Sequence, residues 1–520
     1  MEAISIEKNT EKRGFKKIVK KNIYKWHRII GLITIIPVIF WTISGLMHPF
    51  MSHWFKPKIA KEFLMPQTLK KEDITLSLQQ VLKQNEITQF KNFRVLSFGG
   101  QTYYQVKRMA GKLSYFNTRT GLELSKGDLV YAEWMARELS QDSISKIKTI
   151  SVQSDFDKQY KFVNRLLPVY KVQFERPDGL DIFVETESGR MATFNTNARK
   201  GFIWIFDVFH NWSFLEAISN NWLRVTVMLI LLIIISVSTF SGLVIYGLMW
   251  KKFKKPRNNK DQVGILRKYH RQIGLWVSFV TFTFSLSGAY HVSTKYTPDE
   301  RLKYVYEPTF KTEDLQMASF TLPLDWSRLT NISLVKLKKQ DYFQVFYKKD
   351  EDKPASIEYL DARSGMTLKE GNLIYAKYLA NKFANMEAKL KENTNVSSAE
   401  CCEPSSDLES EDINEANLLK TEWMTKFDRE YGFVNKRLPV MKLAYNTGNH
   451  ATFYIETGTG RLAAKVEDAD RREGYSFAIF HKYLFMDWAG KDVRDIVTMI
   501  SVLGVLVVSL FGLALFLKIK

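Results

Sequence analysis

The chain of 520 residues is long enough for several domains, and its slightly negative mean hydropathy would suit a soluble protein if its apolar residues were evenly spread. They are concentrated instead in four nearly charge-free stretches of roughly 18 to 25 residues, the length that crosses a hydrocarbon core about 30 Å thick. These stretches are 29–47, 225–249, 273–290 and 496–517. The sequence therefore predicts four membrane spans and excludes a purely soluble protein.

The net charge of +20 would also suit a nucleic-acid-binding protein, but the positive residues cluster beside the spans. The first 28 residues and the loop between the second and third spans are rich in lysine and arginine, and such residues stay on the cytoplasmic side. Both termini and this loop are therefore expected in the cytoplasm, and no nucleic-acid partner is expected. The two long segments then face outward, into the periplasm if the membrane is a bacterial inner membrane.

This pattern divides the chain into alternating spans and loops. The predicted parts are a basic N-terminus (1–25), a span (26–50), an outer domain (51–221), a span (222–250), a basic loop (251–267), a span (268–291), a second outer domain (292–492), and a last span with the C-terminus (493–520). The first apolar stretch is longer than the core of a signal peptide and no small-x-small cleavage site follows it, so it is expected to remain a span.

The two halves of the chain resemble each other. KWHRIIGL at 25–32 matches KYHRQIGL at 268–275, and RLLPVYKVQF at 165–174 matches KRLPVMKLAY at 436–445. The second half carries an insertion near 383–425, which is acidic, rich in serine and expected to be disordered. It contains Cys401 and Cys402, which could form a vicinal disulfide or be a passive pair.

Each outer segment combines strand-like and helix-like patterns. Residues 171–194 alternate between apolar and polar, with turns at 177–179 and 188–189, whereas 129–140 and 373–383 have helical spacing. The predicted fold class is therefore a membrane α+β protein. Its four transmembrane helices form two tandem repeats, and each repeat carries an outward-facing α+β domain between its two helices.

Six of the eight histidines obey the repeat: His27 pairs with His270, His48 with His291, and His210 with His481. The first two histidines of each half lie 21 residues apart, so one helix presents them about 31 Å apart and within about 60° of the same face. Imidazole suits zinc, copper and haem iron, and ionisable residues at span ends are candidates for function. Zinc is disfavoured because no carboxylate or cysteine joins the pattern.

Glycines and arginines accompany these histidines in both halves. The glycines could let a porphyrin lie against the backbone, and the arginines could meet its propionates. They are Gly31, Gly45, Gly274 and Gly288, with Arg28 and Arg271. The alternative is that the histidines bond lipid headgroups and the glycines only permit close helix packing.

The chain has no nucleotide-binding motif that would supply electrons. GTGR at 458–461 lies at a hairpin turn and opens no helix, and no Walker motif, GxSxG or HExxH is present. The electron donor is therefore expected to be quinol or a separate cytoplasmic reductase, and no catalytic side chain is assigned.

These motifs together resemble a known family. The WHR-x-x-GL opening, the Ser-Gly near the span ends, the Phe-His before each even-numbered span and the LPV and ET-x-(S/T)GR hairpins are similar to the PepSY-associated transmembrane family. That family includes iron-regulated membrane proteins and siderophore reductases, and the resemblance covers nearly the whole chain except the N-terminus and the 383–425 insertion. It implies PepSY-like outer domains, haem in the membrane region and reduction of ferric siderophores on the outer face.

The resemblance supports His27 and His270 as ligands at the inner face, and His210 and His481 at the outer face. The predicted cofactor is haem b, one to three per chain with two expected. The four outer histidines could hold one haem with two to spare, or two haems as His48–His210 and His291–His481. Bis-histidine ligation leaves no open iron position and favours electron transfer.

The predicted activity is outward electron transfer to a periplasmic acceptor, above all a ferric siderophore, which would dock between the hairpin domains. One alternative is a non-enzymatic PepSY-type protein, anchored in the membrane, that binds or regulates a partner. A transporter is disfavoured because the spans lack carboxylates or lysines for ion coupling.

Overall fold

The structure, a computed structural model, describes residues 2–218, 220–250, 262–296, 300–315, 324–351, 353–392 and 417–518, with the backbone alone at 2–21, 300, 302, 391 and 392. The chain forms two compact units. The helical unit comprises Met1–Pro57, Ala198–Pro298 and Ala469–Lys520, and the strand unit comprises Lys58–Asn197 and Asp299–Asp468.

Nine α-helices are found in the described part of the chain. They are α1 (Glu2–Pro49), α2 (Leu78–Gln84), α3 (Gly127–Ser140), α4 (Asn197–Phe209), α5 (Asn221–Leu248), α6 (Gln262–Ser293), α7 (Gly371–Glu392), α8 (Asp468–Phe480) and α9 (Lys491–Lys518). Four stretches of helix among the described residues are long and apolar enough to cross a membrane, namely Asn22–Trp54, Asn221–Leu248, Gln262–Ser293 and Lys491–Lys518. The prediction of four spans is confirmed, and the chain is a multi-pass membrane protein that requires a lipid bilayer.

The four spanning helices form a bundle in which each packs against two others. Helix α1 packs against α5 and α9, and α6 packs against the same two helices, so α1 and α6 occupy opposite corners. Small and hydroxyl residues bring the helices together, as membrane helices require in the absence of a hydrophobic driving force. Ser236 of α5 and Ser285 of α6 share a buried hydrogen bond of 2.8 Å, and the Cα of Gly45 in α1 faces Val502 of α9.

The strand unit consists of antiparallel sheets. The strands are β1 (Gln89–Phe90), β2 (Asn92–Phe98), β3 (Gln101–Lys107), β4 (Leu113–Asn117), β5 (Ile147–Gln153), β6 (Val169–Phe174), β7 (Asp181–Glu185), β8 (Arg190–Asn195), β9 (Phe310–Lys311), β10 (Leu329–Leu337), β11 (Gln340–Tyr347), β12 (Ser356–Asp361), β13 (Leu418–Met424), β14 (Val440–Tyr445), β15 (Thr452–Glu456) and β16 (Arg461–Val466). They form one six-stranded sheet in the order β12-β11-β10-β2-β3-β4, two four-stranded sheets, β5 to β8 and β13 to β16, and the short pair β1-β9.

The six-stranded sheet joins the two outer segments, which the sequence predicted as separate domains. Strand β2 of the first segment pairs with β10 of the second, with Arg94 opposite Ser333. Asn92 accepts a hydrogen bond from the Leu334 amide, and Asn331 accepts one from the Val95 amide. The physical reason for the joint sheet is that each strand alone would leave an unpaired edge.

Helices α3 and α7 cover the sheets in corresponding ways. Each begins with a glycine against the ring of a buried tyrosine: a Cβ on Gly127 would lie 2.8 Å from Tyr115, and one on Gly371 would lie 2.7 Å from Tyr359. Only glycine allows this approach, so both helices start where the sequence has Gly. The turns predicted in the first hairpin are present, with positive φ at Gly179 and Gly189.

Two predicted segments have boundaries that differ from the structure. The basic N-terminus is not separate, because α1 runs through it from Glu2. The predicted insertion at 383–425 begins inside α7 and ends just after β13. Its first residues therefore belong to a helix and its last residues to a strand, because their apolar residues have helical and strand spacing. The rest of the insertion, with Cys401 and Cys402, and residues 251–261 of the basic loop lie outside the described residues.

A buried ion cluster connects the two four-stranded sheets. The guanidinium of Arg437 donates to Glu456 at 2.8 Å and to Glu185 at 3.1 Å. Arg190 also pairs with Glu456 and donates to the carbonyl of Leu438 at 2.7 Å. Arg437 and both glutamates are almost fully buried, so each charge depends on the others for compensation.

The ion cluster makes the stability of the strand unit sensitive to acid. Burial alone would raise the pKa of Glu456, but Arg190 and Arg437 outweigh it and lower the pKa from 4.5 to about 2. A carboxylate with a lowered pKa stabilises the fold above its unfolded pKa, and this contribution is lost as the pH falls toward the folded value. We expect the contribution of Glu456 to be complete above about pH 5 and to decline between there and about pH 2.

Thermal unfolding at a series of pH values checks this prediction. The Glu456→Gln variant should be less stable than wild type at pH 7 and should lose less stability on acidification, since it has no proton to take up at this position. Identical pH slopes for the two proteins would contradict the prediction.

Candidate functional site

Two histidine rings face each other across the diagonal of the bundle. His27 of α1 and His270 of α6 have ring centroids 6.4 Å apart, with planes inclined by 63°. His27 Nδ1 lies 2.8 Å from Ser241 Oγ, which donates its own proton to the Ser238 carbonyl and therefore accepts from the imidazole. His270 Nδ1 donates to the carbonyl of Val508 at 3.0 Å. Both rings therefore carry a proton on Nδ1 and a lone pair on Nε2.

A second pair has the same ring separation. His210 follows α4 and His481 follows α8, and their centroids lie 6.4 Å apart with planes at 85°. Ser44 Oγ lies 3.1 Å from His210 Nδ1, and Ser287 Oγ lies 3.3 Å from His481 Nδ1. Each serine donates its proton to a carbonyl of its own helix, so each accepts from the imidazole. The proton again lies on Nδ1 and leaves Nε2 free to bind a metal.

Burial keeps the second pair uncharged. Desolvation is the main cause that lowers the pKa of His210 to about 4 and the pKa of His481 to about 3. Both imidazoles are therefore neutral at pH 7, and neutral imidazole is the form that ligates metals.

His48 and His291 make contacts of a different kind. Phe206 lies 5.8 Å from His48 and stacks on His210 at 4.4 Å, measured between ring centroids. Phe477 stacks in the same way between His291 at 4.4 Å and His481 at 4.6 Å. His291 Nδ1 also lies 2.5 Å from Glu473 Oε1. Of the two arrangements expected for the outer histidines, these contacts correspond to one central pair with two further histidines beside it.

The geometry of both central pairs fits an iron held between two imidazoles. Two metal–nitrogen bonds of roughly 2 Å place opposed imidazole centroids about 6 Å apart, close to the observed separation in each pair. No group of three or more His, Cys, Asp or Glu that could hold a metal occurs among the described residues. A pair of imidazoles matches haem, whose macrocycle supplies the remaining ligands.

The glycines and arginines expected beside the histidines differ in their surroundings. A Cβ on Gly31 would meet nothing within 4 Å, whereas one on Gly274 would lie 3.8 Å from Val508. Gly288 lies close to the His481 ring, since its Cβ would be 4.0 Å from Cε1. The Arg28 guanidinium lies 4.8 Å from the ring of Phe516, and Arg271 directly follows His270 on α6.

The sequence analysis missed two glycines that face the first pair. A Cβ on Gly242 of α5 would lie 3.3 Å from Cε1 of His27, and a Cβ on Gly512 of α9 would lie 3.3 Å from Cε1 of His270. It also missed Ser44 and Ser287 as hydrogen-bond partners, although the Ser-Gly pairs at 44–45 and 287–288 had been noted for their glycines. The recurrence of Ser-Gly at 241–242 could have marked Ser241 and Gly242, which both lie beside His27, as candidates.

Comparison with known proteins is informative at the level of the family. A search of curated proteins found no match. The family model described as the PepSY-associated TM region matches residues 126–518, which is well over half of the chain. The match includes three of the four spans and four of the six paired histidines, namely His210, His270, His291 and His481. The chain belongs to the PepSY-associated TM family.

Proposed function

We propose that this protein is a b-type haem oxidoreductase of a bacterial inner membrane that passes electrons outward to a periplasmic acceptor, most specifically a ferric siderophore. The observation that carries the proposal is that the helical unit contains two imidazole pairs with the same ring separation. Each has centroids 6.4 Å apart and a proton held on Nδ1 by a neutral acceptor.

The proposal assigns one haem to each pair. His27 and His270 hold the first, and His210 and His481 hold the second. Bound haem would supply reversible one-electron chemistry, and ligation by two imidazoles would leave its iron no position for oxygen. The hydrogen bonds to Nδ1 fix the tautomer and the orientation of each ring, as the outer partners of metal-bound histidines do.

The proposal also includes the orientation and the internal repeat. The basic residues beside the spans favour cytoplasmic termini and an outward-facing strand unit. Each imidazole pair takes one histidine from each half, and the two four-stranded sheets have the same strand order, which favours two tandem repeats related by a twofold axis along the membrane normal. The donor is then quinol or a reductase on the cytoplasmic side.

Anaerobic spectroscopy tests the proposed activity. The purified protein is reduced with a limiting amount of dithionite, and a ferric tris-catechol complex is then added together with a chelator that traps Fe(II) and so draws the reduction forward. We expect the reduced haem bands to disappear while iron is converted from Fe(III) to Fe(II), one electron for each haem oxidised. The gallium(III) complex of the same ligand is the matched control, because it has the same charge and shape but cannot accept an electron. Equal bleaching by iron and gallium, or no bleaching by iron, would contradict the activity.

The close packing of Gly242 against His27 gives a more specific prediction. Gly242→Val places a branched side chain where even a single Cβ would lie 3.3 Å from the His27 ring. The ring must move, so we expect the haem content to fall from two per chain toward one, with the outer site retained. Gly247→Val on the same helix is the control, because a Cβ there would meet nothing within 4 Å. Unchanged haem content in Gly242→Val would argue against an inner site at His27.

A further inference from the structure

The strand unit contains the same short turn twice. KFVN at 161–164 and GFVN at 432–435 each form a 3₁₀ turn, Phe162–Asn164 and Phe433–Asn435. The two turns pack against each other, although they are far apart in the chain. They therefore present one continuous surface built from both halves of the sequence.

Side-chain hydrogen bonds hold each turn in shape. Asp157 accepts hydrogen bonds from two backbone amides of the first turn region at 2.7 and 2.6 Å, and Asp428 does the same in the second at 2.9 and 2.6 Å. The buried hydroxyls of Tyr160 and Tyr431 donate to the carbonyls six residues later, at 2.5 and 2.7 Å. The turns are thus fixed in shape before any ligand binds.

The apolar side chains of these turns point into solvent. Phe433 is 72% exposed, Val163 is 51% exposed, Phe162 is 42% exposed and Phe427 is 37% exposed. We call these four residues the FVN patch. A single exposed apolar residue is ordinary, but a cluster contributed by two equivalent rigid turns is typical of a binding site.

The surroundings of the FVN patch carry an excess of positive charge. The cations of the two turn regions are Lys158, Lys161, Arg165, Lys426, Arg429 and Lys436, and the anions are Asp155, Asp157, Asp428 and Glu430. Three of the anions are engaged locally: the two aspartates bond backbone amides, and Glu430 accepts from the Tyr454 hydroxyl. Three of the cations, Lys161, Arg165 and Lys436, also have partners within the protein, so the excess of positive charge rests on the count of six cations against four anions. The Arg165 guanidinium lies 4.9 Å from the Phe162 ring, so charge and aromatic surface are adjacent.

We propose that the FVN patch binds an anionic metal chelate with aromatic rings, whose rings stack on Phe162 and Phe433 while the basic side chains meet its negative charge. Only the role of this ligand as the electron acceptor rests on the proposed function; its binding to the FVN patch does not. Each lost ring should weaken binding severalfold, so the loss of both rings should weaken it about tenfold.

The experiment measures equilibrium binding of the trianionic ferric tris-catechol complex to the full-length protein in detergent, by dialysis and iron analysis. The Phe162→Ala/Phe433→Ala double variant is expected to bind about tenfold more weakly than wild type. The control double variant is Ile144→Ala/Leu419→Ala, which removes two apolar side chains that are 92% and 65% exposed in the same unit. A neutral ferric tris-hydroxamate without rings should bind weakly and equally to all three proteins.

The outcomes separate this inference from the proposed function. Equal affinity of wild type and the FVN double variant for the tris-catechol complex, or no binding to wild type, would overturn the patch. Haem content and dithionite reduction are measured on the same samples. If wild type binds the complex through the FVN patch but contains no haem, binding at the patch is supported and the proposed electron transfer is contradicted. If subsaturating complex oxidises the reduced wild type and the reduced FVN double variant equally fast, the proposed electron transfer is supported and binding at the FVN patch is contradicted.

Discussion

Replacing His270 by alanine is expected to reduce the haem content of the purified protein from two per chain to one. His27 and His270 are the only histidines whose rings meet at this level of the described bundle, so the variant would leave the inner site with one imidazole. The histidines of the outer pair follow other helices, α4 and α8, and bond Ser44 and Ser287, which do not contact the inner pair, so the outer pair should keep its haem. The absorbance difference between reduced and oxidised protein should fall by about half in its b-type bands.

Three further histidine variants make this test specific. His210→Ala should remove the other haem, whereas His48→Ala and His291→Ala should leave two, because their rings face Phe206 and Phe477. His450→Ala is the control, since His450 is exposed in the strand unit and pairs with Asp468. An unchanged spectrum in His270→Ala would exclude it as a ligand. Loss of a haem in His48→Ala would instead favour the pairing of His48 with His210.

Replacing Arg437 by methionine is expected to be among the most destabilising substitutions in the strand unit. The variant leaves Glu185 and Glu456 buried, with Arg190 as the remaining cation bonded to Glu456. Removing one partner of a buried ion pair costs about 3–5 kcal/mol, because the other charge stays uncompensated. Urea unfolding followed by tryptophan fluorescence measures the change in free energy of unfolding.

Lys420→Met provides the matched control for Arg437→Met. It breaks an exposed pair with Glu422 that water screens, so little stability should be lost. Adding Glu185→Gln to Arg437→Met should recover part of the lost stability, since it removes the unpaired charge. If Arg437→Met and Lys420→Met were equally stable, the buried cluster would have no structural role of the kind described.

The spans and many of the local elements could be predicted because their causes are local. Apolar length alone indicated the four membrane helices, and alternation with Gly at the turns indicated the hairpin around Gly179 and Gly189. The pairing of β2 with β10 could not be predicted, because its partners come from different halves of the chain and either strand could have been an edge. The extension of α1 through the basic N-terminus was hidden by its lack of an apolar pattern.

The candidate site could likewise be predicted from the sequence only in part. The repeat indicated which histidines correspond, but not which rings meet, since that depends on how α4 and α8 are rotated above the spans. The stacked Phe206 and Phe477 separate His48 and His291 from the central pair, and their position one turn before each outer histidine was a usable clue. The glycines that face His27 and His270 lie on other helices, so no local pattern could connect them to their histidines.

The most direct test of the account is the haem content of the wild-type protein, purified in detergent and measured as pyridine haemochrome against protein concentration. We expect haem b at two per chain, with reduced-minus-oxidised bands typical of bis-histidine iron. A well-folded protein without haem would contradict it. The imidazole pairs would then be packing contacts of the bundle, and a membrane-anchored binding protein would be the better description.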